Sequence, residues 1–161
     1  MALQFFNSIH REKKVFHSIE EGKVGLYTCG PTVYDYAHIG NFRTFMFEDL
    51  LKRWLLHLGY DVKHIMNITD VDDKTIKKAK QMKVSLSRIT DKYTQYFMED
   101  LTWLKMIPAD IYPTATESIP KMISMIERLL EKGFAYSEDD GSVYFNISSF
   151  PNYGKLTQVN I

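Results

Sequence analysis

Hydrophobic residues change their spacing twice between positions 23 and 68. Residues 23–29 are dominated by apolar and β-forming side chains, which is typical of a buried strand. From 41 to 58 apolar residues recur every three or four positions, which predicts a helix with one wide apolar face that ends at Gly59. Residues 60–68 alternate between apolar and polar, so a second strand is expected. This order is a βαβ unit, whose two strands are parallel and whose crossover is right-handed.

Helical spacing continues beyond this unit. The acidic residues after the second strand predict a cap for a helix at about 74–82. Ser85 predicts the start of a longer helix, whose apolar positions keep helical spacing until Pro108. A loop follows, and then an amphipathic helix is expected over 119–132, ended by Gly133.

Two hairpins are expected outside the helices. Residues 134–136 and 143–147 flank Asp139-Asp140-Gly141, which is a turn signal. Near the start of the chain, residues 3–5 and 15–17 predict short edge strands of a decorating hairpin. Because a parallel sheet of two strands is too small to stand alone, either further strands come from elsewhere or the chain is a fragment.

Composition narrows the class of protein. The 161 residues have room for one ordinary domain, and 45% hydrophobic residues favour an ordered core. The 20 basic and 20 acidic residues balance, which removes the simplest electrostatic argument for a chain that binds nucleic acid by itself. No apolar run is long enough to span a membrane, so a cytoplasmic protein is expected. The single cysteine, Cys29, is a buried apolar residue or a free, metal-bound or catalytic thiol.

The loop between the first strand and the first long helix carries candidate chemistry. His38 to Asn41 lie where the loop becomes helix, so backbone N–H groups and side-chain donors can converge there on a phosphate, and Gly40 would let a flat ring approach the backbone. The alternative is an ordinary helix start, with Gly40 and Asn41 as capping residues. Cys29 ends the first predicted strand and Thr69 follows the second, so both lie at the sheet edge where α/β proteins bind ligands.

A longer pattern surrounds these residues. Residues 29–41, Cys-Gly-Pro-Thr-Val-Tyr-Asp-x-x-His-Ile-Gly-Asn, resemble the signature of cysteinyl-tRNA synthetases, the class I aminoacyl-tRNA synthetases that attach cysteine to its tRNA in protein biosynthesis. The likeness continues at 42–45, 67–74, 131–136, 141–145 and 153–156, in the order of the family's N-terminal portion. It implies an α/β fold: the N-terminal half of a Rossmann-like class I synthetase catalytic domain at 1–109, and the start of an inserted α+β connective region at 110–161.

The resemblance also implies the site. His38 and Asn41 would be the catalytic residues, which hold the phosphates of ATP, supplied with Mg, while the cysteine carboxylate attacks the α-phosphorus. No general base is needed, since that carboxylate is already ionised. Gly40 would lie under adenine. The ATP-binding motif would comprise Pro31, Thr32, Val33, Tyr34, Asp35, Tyr36, Ala37, His38, Ile39, Gly40 and Asn41.

Cysteine would be recognised through zinc and three further residues. Cys29 matches the family's first zinc ligand, and zinc favours a substrate thiolate over the harder hydroxyl of serine. Gly30 would offer its backbone to the substrate, and Thr69 and Asp70 would line the amino-acid pocket. For Thr69 and Asp70 a plain helix cap stays an equal alternative.

The family's remaining parts are not found in this sequence. The other zinc ligands and the second ATP motif, Lys-Met-Ser-Lys-Ser, have no match, and Lys121-Met122-Ile123-Ser124 is explained by its helix. The remaining histidines are interpreted as ordinary residues: His10, His17, His57 and His64. The isolated chain is therefore expected to bind zinc weakly or not at all and to be inactive, and to need the rest of the catalytic domain in cis or in trans. For the full-length enzyme the partners would be cysteine, ATP and tRNA(Cys), with no membrane.

Two other functions stay open. The ligase that joins cysteine to an amino-sugar inositol in mycothiol synthesis shares the zinc cysteine and the ATP motif, but Val33, Ile39 and Asn41 favour the synthetase. The second alternative is a non-catalytic fragment that binds a nucleotide or a partner.

Overall fold

The computed structural model describes residues 3–157. The strands are β1 (Gln4–Asn7), β2 (Glu12–Val15), β3 (Lys23–Thr28), β4 (Asp61–Met66), β5 (Ala135–Ser137) and β6 (Val143–Phe145). The helices are α1 (Ile39–His57), α2 (Asp73–Met82), α3 (Leu86–Trp103) and α4 (Ala115–Glu131), with a short 3-10 turn at Ile147–Ser149.

The chain forms two compact units. One comprises Ser18–Ser118, and the other combines residues 3–17 with residues 119–157. The second unit contains both predicted hairpins, β1 with β2 and β5 with β6, each antiparallel. Among residues 3–157, no helix has the length and apolar character needed to cross a bilayer.

The predicted βαβ unit is confirmed in Ser18–Ser118. β3 and β4 pair in parallel, with Lys23 opposite Asp61 and Thr28 opposite Met66, and α1 connects them. Alternate residues of both strands are buried on one side, which is the period-2 pattern of a sheet covered by a helix. The unit therefore presents the carboxyl ends of its two strands at one edge.

The stretch that the sequence assigns to a loop after Pro108 partly extends this sheet. The N–H of Met66 donates to the carbonyl of Ile111 at 3.1 Å, and the N–H of Ile68 donates to the carbonyl of Pro113 at 2.9 Å. The segment runs parallel to the end of β4 at two isolated bridges, Ile65 with Ile111 and Ile68 with Thr114. Because Pro113 has no N–H, the segment forms isolated bridges rather than a regular strand, and this explains why the sequence pattern missed it.

Helix α4 begins at Ala115, four residues before the predicted start at 119. Its first turn is polar, so the apolar period does not reveal it. The hydroxyl of Thr114 accepts the N–H of Glu117 at 3.2 Å, and a carboxylate oxygen of Asp70 accepts the N–H of Thr116 at 2.9 Å. Capping by side chains, one of them distant in sequence, therefore sets this boundary.

The core of Ser18–Ser118 lies between α1, α3 and the sheet. Phe42 and Phe45 of α1 contact Phe97 of α3, with ring centroids 6.5 Å and 5.2 Å apart. Met66 and Ile68 complete the same buried cluster from the end of β4. This packing fixes the start of α1 against the ends of the strands, where the candidate site lies.

Candidate functional site

A cleft of about 410 Å³ opens where β3 ends and α1 begins. Of the residues predicted for the site, it is lined by Cys29, Gly30, Asn41 and the unbroken run 31–38. Ile39, Gly40, Thr69 and Asp70 are not among the described residues that line it. The structure thus brings the predicted metal ligand and the predicted catalytic pair to one cleft.

His38 and Asn41 begin α1 with a reciprocal pair of hydrogen bonds. Nδ1 of His38 accepts the N–H of Gly40 at 3.1 Å, and Oδ1 of Asn41 accepts the N–H of His38 at 3.0 Å. An imidazole nitrogen that accepts carries no proton, so the ring N–H of His38 is on Nε2. The Asn41 amide uses its oxygen for the backbone, which leaves its NH₂ group.

Both side chains therefore turn hydrogen-bond donors away from the helix. Their exposed positions leave these donors open to solvent, beside the N-terminus of a helix of 19 residues. Donors and a positive helix end together favour an anion. The two interpretations that the sequence left open, a helix cap and a phosphate contact, are compatible because they use different atoms of the same two residues.

Gly30 allows the ends of β3 and β4 to approach closely. A Cβ atom at this position would collide with the carbonyl oxygen of Asn67. The N–H of Gly30 donates to Oδ1 of Asn67 at 3.3 Å, and the hydroxyl of Tyr27 donates to the same oxygen at 3.1 Å. Since this N–H is already bonded, only the carbonyl of Gly30 is left for the predicted substrate contact.

Cys29 is exposed at the cleft, so the ordinary interpretation as a buried apolar cysteine is wrong. A structural zinc site usually has four ligands and a catalytic one three. Within residues 3–157, no group of three or more His, Cys, Asp or Glu side chains could hold a metal ion. The described residues thus supply one thiol toward a zinc site and not a complete one.

Thr69 and Asp70 act through the backbone of neighbouring segments. The N–H of Val33 donates to the carbonyl of Thr69 at 3.1 Å, and the N–H of Thr69 donates to the carbonyl of Pro31 at 3.0 Å. These bonds hold Pro31 and Val33, in the loop between β3 and α1, against Thr69. The carboxylate of Asp70 accepts both the N–H and the hydroxyl of Thr116, so it caps α4. The capping alternative therefore applies to Asp70, although the helix that it caps is α4.

The cleft includes residues that the sequence analysis did not assign to it. Thr44 and Lys74 line it, together with Tyr93 and Phe97 of α3. Thr44 lies three residues after Asn41, and helical periodicity could have placed both on one face of α1. Lys74 stands in the first turn of α2, in the segment that follows β4, and lines the same cleft as Cys29.

A buried polar cluster lies beneath the strand end that carries Cys29. The hydroxyl of Thr28 is 2.9 Å from Nε2 of His64. Burial lowers the pKa of His64, and the positive charge of Lys52 lowers it further. Burial raises the pKa of Glu48 on the facing side of α1, which the Thr28 hydroxyl partly offsets. Asp110 anchors this cluster, because its carboxylate accepts the N–H of His64 at 2.6 Å and lies 3.5 Å from Nζ of Lys52.

Known proteins are similar to this chain in sequence. A family model described as the catalytic domain of class I (C) tRNA synthetases matches residues 15–161. The chain belongs to this family. Its α/β structure is consistent with the Rossmann-like fold of a class I synthetase catalytic domain, as predicted.

Three cysteine–tRNA ligases match nearly the whole chain. The chain is 57% identical to the cysteine–tRNA ligase of Chlamydia caviae over 99% of the chain's length, and 55% identical to that of Chlamydia trachomatis over 100%. The cysteine–tRNA ligase of Brachyspira hyodysenteriae is 53% identical over 97%. Each alignment covers 33% or 34% of the relative, so this synthetase domain spans about a third of the length of the curated relatives it matches.

Proposed function

We propose that this chain forms one wall of the active site of a cysteine–tRNA ligase. The protein would activate cysteine with ATP to cysteinyl-adenylate and transfer the cysteine to tRNA(Cys) in the cytoplasm. Residues 1–109 would be the first half of the catalytic domain, and 110–161 the start of the connective region. The observation that carries the proposal is the start of α1, where His38 and Asn41 turn donors outward in the cleft that also exposes Cys29.

The chemistry follows from these donors. An oxygen of the cysteine carboxylate forms a bond to the α-phosphorus of ATP, and the bond from that phosphorus to the pyrophosphate oxygen breaks. Negative charge moves onto the leaving pyrophosphate, where Nε2–H of His38 and the NH₂ group of Asn41 would stabilise it. Holding ATP and cysteine in line contributes separately, by making the reaction effectively unimolecular.

Cysteine selection would rest on Cys29. A zinc ion held partly by this thiolate, and otherwise by ligands outside residues 3–157, would accept the substrate thiolate as a further ligand. Serine lacks that soft donor, so such a site rejects it strongly without editing. Mg²⁺ would enter with ATP. On this proposal the 161-residue chain alone is inactive, and it gains activity when the rest of the catalytic domain is supplied.

The test is amino-acid-dependent ATP–pyrophosphate exchange by the complete product of the gene. Exchange is expected with cysteine and not with serine, and His38→Ala should reduce it by about 10²–10³-fold, the effect of removing one preorganised donor. Absence of exchange in the complete product would overturn the proposal and favour a non-catalytic nucleotide-binding module.

A second assay separates the two ligases. The activated cysteine is offered tRNA and, in a parallel reaction, an amino-sugar inositol. Transfer to tRNA is expected, and transfer only to the amino sugar would overturn the assignment. As a further arm, the chain can replace the corresponding third of the Chlamydia caviae relative, in which case exchange should be retained and should again depend on His38.

A further inference from the structure

The charges around the cleft are not balanced. Asp35 lines it, but its carboxylate accepts a hydrogen bond from Nζ of Lys78 at 3.0 Å, and this bond lowers the pKa of Asp35. Lys74 also lines the cleft, and among residues 3–157 no carboxylate lies within ion-pair distance of its ammonium group. The described cleft thus has a paired carboxylate and an unpaired ammonium.

Tyr34 holds this ammonium at the cleft. Nζ of Lys74 lies 5.4 Å from the centroid of the Tyr34 ring, and both residues line the same space. The negative face of an aromatic ring attracts a cation without neutralising its charge. The lysine is therefore localised and still able to pair with an anion.

The position of Lys74 is electrostatically unfavourable for its own helix. It lies in the first turn of α2, directly after Asp73, where the backbone N–H groups point outward and the helix dipole is positive. The carboxylate of Asp72 accepts the N–H of Thr75 at 2.9 Å and forms no ion pair with Lys74. Asp72 and Asp73 offset part of the positive helix end, but neither forms an ion pair with Lys74, so a negative ligand would stabilise its ammonium group further.

We propose that Lys74 binds a phosphate group of the nucleotide in this cleft. The donors of His38 and Asn41 are neutral groups, so they leave most of the charge of a triphosphate uncompensated, and Lys74 adds a full positive charge nearby. The cysteine carboxylate is a poorer ligand for it, since an ion pair would reduce the nucleophilicity that the reaction needs. The identity of the nucleotide as ATP rests on the proposed function; the anion preference rests on the cleft.

Steady-state exchange with the complete gene product tests this assignment. Lys74→Met should raise KM for ATP by about tenfold, the effect of losing one charge-assisted bond, with KM for cysteine unchanged. Lys74→Arg keeps the charge and should recover most of the loss. Lys77→Met is the matched control, because Lys77 is exposed on the same helix and does not line the cleft. A rise in KM for cysteine instead of ATP would overturn the assignment.

Direct binding provides a readout without catalysis. By titration calorimetry, Lys74→Met should weaken binding of both ATP and inorganic tripolyphosphate by about tenfold, as expected for one charged contact. Tyr34→Leu should weaken both to a smaller extent, and Tyr34→Phe less than Tyr34→Leu, because the phenyl ring keeps its π face. Equal binding by the wild-type and Lys74→Met proteins would overturn the proposal.

The two proposals fail differently. If the wild-type protein shows no cysteine-dependent exchange but Lys74→Met weakens tripolyphosphate binding, the ligase assignment is wrong and the phosphate site stands. If exchange is normal in Lys74→Met at limiting ATP, Lys74 has no role in binding phosphate and the ligase assignment stands.

Discussion

Two helices of this chain begin with the same reciprocal hydrogen bonds, but they differ in what remains for a ligand. At α2, Oδ1 of Asp72 accepts the N–H of Thr75 at 2.9 Å, and Oγ1 of Thr75 accepts the N–H of Asp72 at 2.8 Å. The Thr75 hydroxyl then donates to the carbonyl of Asp72, and the residue is fully buried. At α1, Nδ1 of His38 accepts the N–H of Gly40 and Oδ1 of Asn41 accepts the N–H of His38, and both side chains stay exposed with donors unused.

The comparison separates a structural cap from a candidate binding site. A carboxylate and a hydroxyl are sufficient to stabilise a helix end, and at α2 they are directed at the backbone. A neutral imidazole and a carboxamide each carry an acceptor and a donor, so the acceptor can cap the helix while the donor binds an anion, whereas an ionised carboxylate carries acceptors only. His38 and Asn41 can therefore bind an anion in addition to capping α1.

The strongest test of this difference replaces the donor while keeping the cap. Asn41→Asp retains an oxygen for the His38 N–H, and its charge suits a helix N-terminus, so stability should be unchanged or slightly raised. It loses the NH₂ donors and repels phosphate, so exchange by the complete gene product should fall by about 10²–10³-fold. Asp72→Asn, the matched change at α2, should leave exchange within about threefold, since its cap is retained. Similar losses in both variants would contradict the comparison.

Substitution of Gly30, where the ends of β3 and β4 approach closely, should have the next largest effect. Gly30→Ala places a methyl group against the carbonyl of Asn67, and it should lower the free energy of unfolding by about 3 kcal/mol, the upper part of the usual range for overpacking. Gly25→Ala is the control, because a Cβ at this position in β3 meets no atom within 4 Å. Urea unfolding of the chain measures both, and equal stability of the two variants would show that the loop relaxes freely.

A smaller effect is expected for the Asp72 cap at the start of α2. Asp72→Ala removes the acceptor for the Thr75 N–H and should cost about 1 kcal/mol of stability, as N-cap deletions usually do. Thermal unfolding monitored by circular dichroism reports this loss. KM for cysteine should not change, because the Asp72 carboxylate is directed at the backbone of its own helix. A changed KM with unchanged stability would give Asp72 a role in binding.

Local patterns predicted more of the fold than of the site. The βαβ unit followed from the change of period between 23 and 68, and α1 begins at Ile39, within two residues of its predicted start. The bridges at Ile111 and Pro113 and the cap from Asp70 to α4 were missed, because each joins residues more than 40 positions apart. Lys74 was missed for a similar reason, since only the folded chain brings α2 to the loop after β3.

Glu48 is a buried polar residue of α1 whose carboxyl group lacks part of its hydrogen bonding within residues 3–157. Its side chain is buried against the sheet, and Oε2 has no hydrogen-bond partner among residues 3–157. Burial raises the pKa of Glu48 above the usual 4.5, so the folded chain holds this proton more tightly than the unfolded chain does. As the pH rises above 4.5, the unfolded state ionises first and stability is lost until the folded state also ionises.

Glu48→Gln should remove this pH-dependent loss. The amide keeps the shape and the contact with Thr28 but does not ionise, so the stability difference between Glu48→Gln and the wild type should be near zero at low pH and grow in favour of the variant as the pH rises above 4.5. The expected gain is on the order of 1 kcal/mol, comparable with the loss expected for Asp72→Ala. Urea unfolding at matched ionic strength measures it. A difference that is independent of pH would show that Glu48 ionises normally, with a partner in the folded protein.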